Sequence, residues 1–288
     1  MNHLIPLSKH CYRLSCLLAS LSGDEIKYEP ENEVASWELA SDWLKIASGV
    51  IKVEVDTTKH DFSLSYCGNA WDYEEKRSQL LSELATKLTT FNFIWGAIET
   101  VIKVISPKGF DYSLGKKLKR KGDFVDRGVY YLRTQYNQTP ILEDYSQTLA
   151  EFRLMIEKSN FKNLQNCFHL DEMTSISGLA FHIIRMIRNS FAHGSTLFPD
   201  PEDWGEKNNN LSEEEKVHTE IIELSSRLLL FTIQMLILAY YKDQNLSVFV
   251  YGLDFGISDE IELLPFARIL HLNHDPLNTE NTLPLFGD

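Results

Sequence analysis

Twenty-eight basic against 41 acidic side chains give the 288-residue chain a formal charge of −13, with 43% hydrophobic and 24% charged residues. That balance excludes collagen-like, low-complexity and wholly disordered proteins and leaves room for one large or two modest domains. A globally acidic protein has no general affinity for nucleic-acid backbones, so any RNA or DNA contact must come from a local basic patch.

At the N-terminus a short apolar stretch, 16–21, is preceded by Lys9, His10 and Arg13 with no convincing small-residue cleavage site after it, and does not read as a signal peptide. Residues 33–47 carry an imperfect helical face of Trp37, Leu39, Trp43, Leu44 and Ala47. Alternation over 50–55 and again over 62–66, around a polar turn, predicts a β-hairpin. The clearest element is 75–105, where Leu81, Leu84, Leu88, Phe91, Trp95, Ile98, Ile102 and Ile105 step by three and four; only a helix aligns them. Further helices are expected at 123–135, 143–158, 176–193 and, from a Ser212-Glu213-Glu214-Glu215 capping box, 212–242.

The most apolar run, 228–241, is shorter than the ~20 residues of a membrane span and carries Thr232 and Gln234, so it reads as a buried helix of a soluble protein. Alternation at 247–251 predicts strands that pair with the 50–66 hairpin. Cys11, Cys16, Cys67 and Cys167 show no CxxC pair or zinc-finger spacing and read as reduced thiols, consistent with a cytoplasmic location. The expected fold class is therefore mainly α, an antiparallel helical bundle with a small β appendage from the N- and C-terminal segments. Its divisions are an elaboration over 1–70, a helical domain over 71–243 and a strand-containing tail over 244–288 packing on that elaboration.

The informative stretch is Arg188-Asn189-Ser190-Phe191-Ala192-His193-Gly194, at the end of an amphipathic helix and before a long loop. On helical geometry Ala180, Ile183, Ile184, Ile187 and Phe191 form one apolar arc, while His182, Arg185, Asn189 and His193 line the opposite ridge. Arg188 lies on the flank, about 140° around from His193, so two copies about a two-fold axis would be needed to gather two Arg and two His in one cleft. The bland reading, Arg and His finishing a helix C-terminus, explains the same residue types.

Arg188-Asn189 and His193, with four residues between Arg188 and His193, and the local Ala192-His193-Gly194, resemble the HEPN superfamily over about residues 71–242. The resemblance implies a compact helical domain that in many members is a metal-independent endoribonuclease, often a toxin or abortive-infection effector in antiviral defence, acting as a homodimer. It equally covers inactive scaffolds, so the alternative is a catalytically silent dimeric interaction or ligand-sensing module. In one toxin–antitoxin branch a Tyr two residues beyond the His is modified by the antitoxin; here that position is Ser195.

RNA cleavage suits these residue types. The 2′-OH is the nucleophile, an imidazole with reference pKa about 6.5 can take and return its proton, and a guanidinium can grip two phosphate oxygens. Arg188, His193 and Asn189 are thus the expected catalytic set, Asn189 as an orienting group, with no metal and no cofactor. His193 falls in the last helical turn, where the macrodipole favours the imidazolium. Candidate RNA-binding residues are Arg185, the basic run Lys116, Lys117, Lys119 and Arg120, and Trp204 in the 196–210 loop as a stacking platform. Glu99 and His182 are candidate accessory groups. Expected partners are RNA, a second copy of the chain, and a neutralising or triggering protein, with no membrane.

Overall fold

The structure is a computed structural model that describes residues 4–22, 26–28, 33–61, 68–105, 110–136, 141–159, 164, 166–192, 213–249 and 260–273. In chain order these form α1 (Leu7–Ser20), β1 (Ile26–Tyr28), β2 (Glu33–Ala35), α2 (Trp37–Gly49), α3 (Gly68–Ile105), α4 (Tyr112–Lys117) and α5 (Phe124–Tyr131), the last running into a π-turn over Leu132–Tyr136. There follow α6 (Tyr145–Lys158), α7 (Ile176–Ala192), α8 (Glu213–Tyr240), β3 (Ser247–Phe249), β4 (Glu260–Glu262) and α9 (Leu263–Ile269). The protein is mainly helical, with two small antiparallel ladders, β1–β2 and β3–β4.

The hydrophobic pattern explains the arrangement. From Leu228 to Ala239, α8 is buried on every side, which is how a helix apolar all round behaves at the centre of a core. Around it pack α1, α3, α6, α7, α9 and the π-turn. The stripe read along α3 is the stripe that packs: Leu84, Phe91, Trp95, Ile98, Ile102 and Ile105 are buried, and Leu81 and Leu88 half-buried. One hydrophobic cluster runs from Cys11 to Leu270, drawing residues from all three expected segments. By length and composition α3 and residues 217–240 of α8 could each cross a membrane; the apolar window of the second is 83% buried inside the fold.

Two sequence expectations need correction. Residues 50–61 form no hairpin strand; 50–56 run along the N-terminal half of α3 and 57–60 form a turn, Asp61 N donating to Thr58 O at 3.0 Å. Val53, Val55 and Thr57 donate their N–H groups to Thr86 Oγ1, Ser82 Oγ and Ser78 Oγ at 2.8, 2.9 and 3.0 Å. Two strand residues advance about 6.6 Å and four helical residues 6.0 Å, so hydroxyls one turn apart keep step with alternate amides. The alternation was real, but a helix supplies the acceptors; residues 62–66 lie outside the described residues. Nor does the C-terminal strand pair with this region: β3 pairs with β4, Val248 opposite Ile261. The helix at 7–20 carried no prediction at all, although Cys11, Leu14, Leu17 and Leu18 bury one of its faces.

The segments at 4–13 and 267–272 meet over α8. Leu4 bridges Leu272, Ile5 N donates to His271 O at 3.1 Å, and Arg13 Nη1 donates to Leu272 O at 2.9 Å. Beneath them lies a buried polar chain. Arg227 Nη1 meets His10 Nδ1 at 3.0 Å, His10 Nε2 meets Gln234 Oε1 at 2.7 Å, and Gln234 Nε2 donates to Ala267 O at 2.7 Å and reaches His271 Nδ1 at 3.2 Å. These partners require His10 to carry its proton on Nε2 and to accept on Nδ1. Gln234 is therefore the joint that satisfies three elements at once, which is why a polar residue sits in so apolar a helix.

Burial, then Arg227, pushes the His271 imidazole down to about 4, and burial with Arg227 and His271 lowers that of His10. Both rings are neutral in the fold, whereas the unfolded chain protonates them near pH 6.5. Their contribution to stability is complete above that pH and is lost as the pH falls from about 6.5 toward 4, by up to about 1.4 kcal/mol per pH unit for each ring. Urea unfolding followed between about pH 7.5 and 5 should show this loss; an unfolding free energy flat across that window would contradict the neutral assignment.

Candidate functional site

Two faces of α7 carry the polar residues singled out above, and the fold treats them differently. Ala180, Ile183, Ile184 and Ile187 are buried as expected. On the opposite ridge, Arg185 and His182 do not stand open to solvent, because the segment from α4 to α5 covers them. Arg185 Nη1 binds Asp123 Oδ2 at 3.0 Å and Asp126 Oδ1 at 3.1 Å. Arg120, from the basic run, enters from the other side: its Nη2 binds Asp171 Oδ2 and Thr174 Oγ1, both at 2.9 Å, and its Nη1 approaches Asp126 Oδ1 at 3.5 Å. Asp126 also accepts from Gly122 N at 3.0 Å, and its side chain is fully buried.

This network bears on two of the expected RNA-binding residues. Arg120 and Arg185 were expected to hold RNA phosphate, but their guanidinium groups are already paired with Asp171, Asp123 and the fully buried Asp126, and exchanging those partners for phosphate would leave Asp126 with the Gly122 amide alone. His182 contacts both arginines; burial first, then Arg120 and Arg185, pushes it down to about 3. It is a neutral acceptor here, so it cannot offer a cation. Of the basic run, Lys116, Lys117 and Lys119 remain exposed, and Lys117 pairs with Glu172 at 3.0 Å.

Arg188, one turn beyond Arg185, turns the other way, toward α3. Its guanidinium carbon sits 5.0 Å from the centroid of the Trp95 ring, a cation–π geometry of about 1 kcal/mol when partly buried. Arg188 lines a cavity of about 600 Å³ together with Asn92, Trp95, Glu99, Thr100 and Lys103 of α3 and Trp43 of α2. Glu99 holds Lys103 Nζ at 3.3 Å across one helical turn. On the same wall Trp43 and Phe93 lie with ring centroids 5.8 Å apart. Gly96 is what lets α2 approach: a Cβ there would stand 3.0 Å from the Trp43 ring.

One donor of Arg188, the Nε, is buried with no hydrogen-bond partner among the described residues. An orphaned donor of this kind costs about 1–3 kcal/mol and in native proteins calls for a reason, function among them. Asn189 is exposed beside it. His193 and Trp204 lie outside the described residues.

The arrangement thus brings Arg188 and Glu99 to one cavity, which the sequence pointed to only as separate candidates. It adds Lys103, Asn92 and the Trp95 ring, which sequence reasoning missed. The Glu99–Lys103 spacing of four residues was visible in the sequence, but Trp95 looked like one more member of an apolar stripe. Chemically, the cavity offers two cations, one carboxylate, an amide and aromatic walls. That set can bind an anion through Arg188 and Lys103 while a flat group packs beside it. No family model, curated protein or solved structure matches the chain.

Proposed function

We propose that the protein is a metal-independent endoribonuclease of HEPN type, with Arg188 as the phosphate-binding cation and His193 as the proton carrier. The observation that carries this reading is the setting of Arg188: a guanidinium held over Trp95 at a cavity shared with Glu99 and Lys103, five residues before a histidine. The chemistry follows from the residues. A base removes the 2′-OH proton, the oxygen attacks the adjacent phosphorus, and the 5′-oxygen leaves with a proton returned by an acid, giving a 2′,3′-cyclic phosphate. Charge building on the non-bridging oxygens is met by Arg188, which stays protonated throughout.

Lys103 would add a second positive charge, with Glu99 holding it in place. A second copy of the chain, supplying its own His193, would let one imidazole act as base and the other as acid. On the resemblance of the motif, the biological setting is that of a toxin or anti-phage effector in the cytoplasm. The aromatic wall of Trp43 and Phe93 favours one other reading, a catalytically silent module that senses a nucleotide in the same cavity. The two part in one experiment. Purified protein incubated with mixed RNA in EDTA should yield fragments with 2′,3′-cyclic phosphate ends; nucleotide binding to the intact chain without any cleavage would replace the nuclease by the sensor.

A further inference from the structure

We propose that the outer edge of residues 50–56 is an association surface for a second copy of this chain, joined by antiparallel strand pairing in a register centred on Val53. The N–H groups of Val53, Val55 and Thr57 are taken up by Thr86, Ser82 and Ser78 of α3. In an extended chain successive residues turn their backbone groups to opposite sides, so those of Lys52, Glu54 and Asp56 face away from α3. Among the described residues no backbone group pairs with them. Among the described residues the result is a strand edge locked on one side and unpaired on the other, the template on which strand addition takes place.

The charges select the occupant and its register. On this edge only residues 52, 54 and 56 can form bonded cross-strand pairs, and a two-fold contact pairs residues whose numbers have a constant sum. Centring on Lys52 would oppose lysine to lysine, and centring on Glu54 would oppose glutamate to glutamate. Centring on Val53 sets Lys52 of each copy opposite Glu54 of the other, Ile51 opposite Val55, and Val53 opposite itself. Lys52 and Glu54 already pair within one chain at 3.2 Å, with 62% and 80% of their side-chain surface exposed. They share one face of the strand, so the dimer would close an alternating square of four charges.

The same contact would cover apolar surface that the single chain leaves in water. Ile51 is 93% exposed and Trp71 43% exposed. Both line a groove of about 610 Å³ between the strand and α3, with Val55, Gln79 and Thr86. In the Val53 register the partner's N-terminal strand end, carrying its own apolar residue at 51, runs along Val55 toward the Trp71 end of that groove. The inner side of this strand lies against residues 78–86 of α3, whereas the Arg188 cavity uses residues 92–103, so the inference stands apart from the nuclease reading. Two different two-fold contacts on one chain would build a closed tetramer or an open chain.

Sedimentation equilibrium on the full-length chain tests this. Lys52→Glu and Glu54→Lys should each weaken self-association by about tenfold or more, since every dimer contains the pair twice. Mixing the two variants should restore association as a heterodimer, because positions 52 and 54 facing each other across it then carry opposite charges. Circular dichroism melts confirm that each variant is folded. A wild-type chain that stays monomeric, an assembly indifferent to both reversals, or single variants that mixing does not rescue would each overturn the proposal. RNA cleavage by the variants, assayed alongside, separates failure here from failure of the nuclease reading.

Discussion

Alanine at residue 193 is expected to lower kcat/KM for RNA cleavage by about 10²–10⁴-fold, the usual weight of a positioned proton-transfer group. Arg188→Ala should cost about 10²–10³-fold, as removal of a donor that stabilises transition-state charge does elsewhere. Arg188→Lys should recover only part of this, because an ammonium does not grip two phosphate oxygens in the planar fork of a guanidinium. Both losses should fall mainly on kcat, with circular dichroism showing that each variant is folded. The rate should follow a bell-shaped pH profile whose limbs change with the His193 variant. Retention of cleavage at wild-type rate by either alanine variant would remove these two residues from the mechanism.

The largest stability effect should come from Asp126. Its carboxylate is fully buried and receives Arg120, Arg185 and the Gly122 amide. Asp126→Ala would leave two half-compensated guanidinium groups in a dry site, and breaking a buried pair from one side costs about 3–5 kcal/mol. Urea unfolding of the purified variant measures it. Asp171→Ala should cost less, since 19% of that side chain is exposed and water can replace part of what Arg120 loses. A change below about 1 kcal/mol for Asp126→Ala would mean that the network is ornamental to the fold.

The predictions turn on Arg188 and on the partner of Arg185, two arginines on neighbouring turns of α7, and they show where reading the chain succeeds. The periodicity of α7 placed its apolar arc against the core and its polar residues outside it. It did not say which polar residue would face which neighbour. Arg185 and Arg188 differ by three positions, or about 60° around the helix axis. That rotation sends one into Asp123 and Asp126 of the α4–α5 region and the other onto Trp95 of α3. The basic run divides in the same way: Arg120 turns inward to Asp171, while its lysine neighbours stay in water.

The extended segment 50–57 teaches the complementary lesson. Alternation reports that a backbone is extended and half covered, since it is a property of the side chains alone. The partner of its amides is a separate matter, decided here by Ser78, Ser82 and Thr86 lying one helical turn apart on α3.

What the order of residues settled unaided is whatever depends on near neighbours along the chain: the helical stripe of α3, the all-round apolar α8, and an arginine and a histidine five positions apart. What waited for the folded chain is everything that depends on distant residues meeting. Gln234 joins His10 to His271 across more than two hundred positions, Asp126 captures two arginines, and Arg188 finds Glu99 at one cavity. The physical reason is range. Backbone dihedrals and side-chain periodicity act within a turn or two, whereas burial, charge pairing and the orphaned donor on Arg188 arise only when separate elements exclude water together.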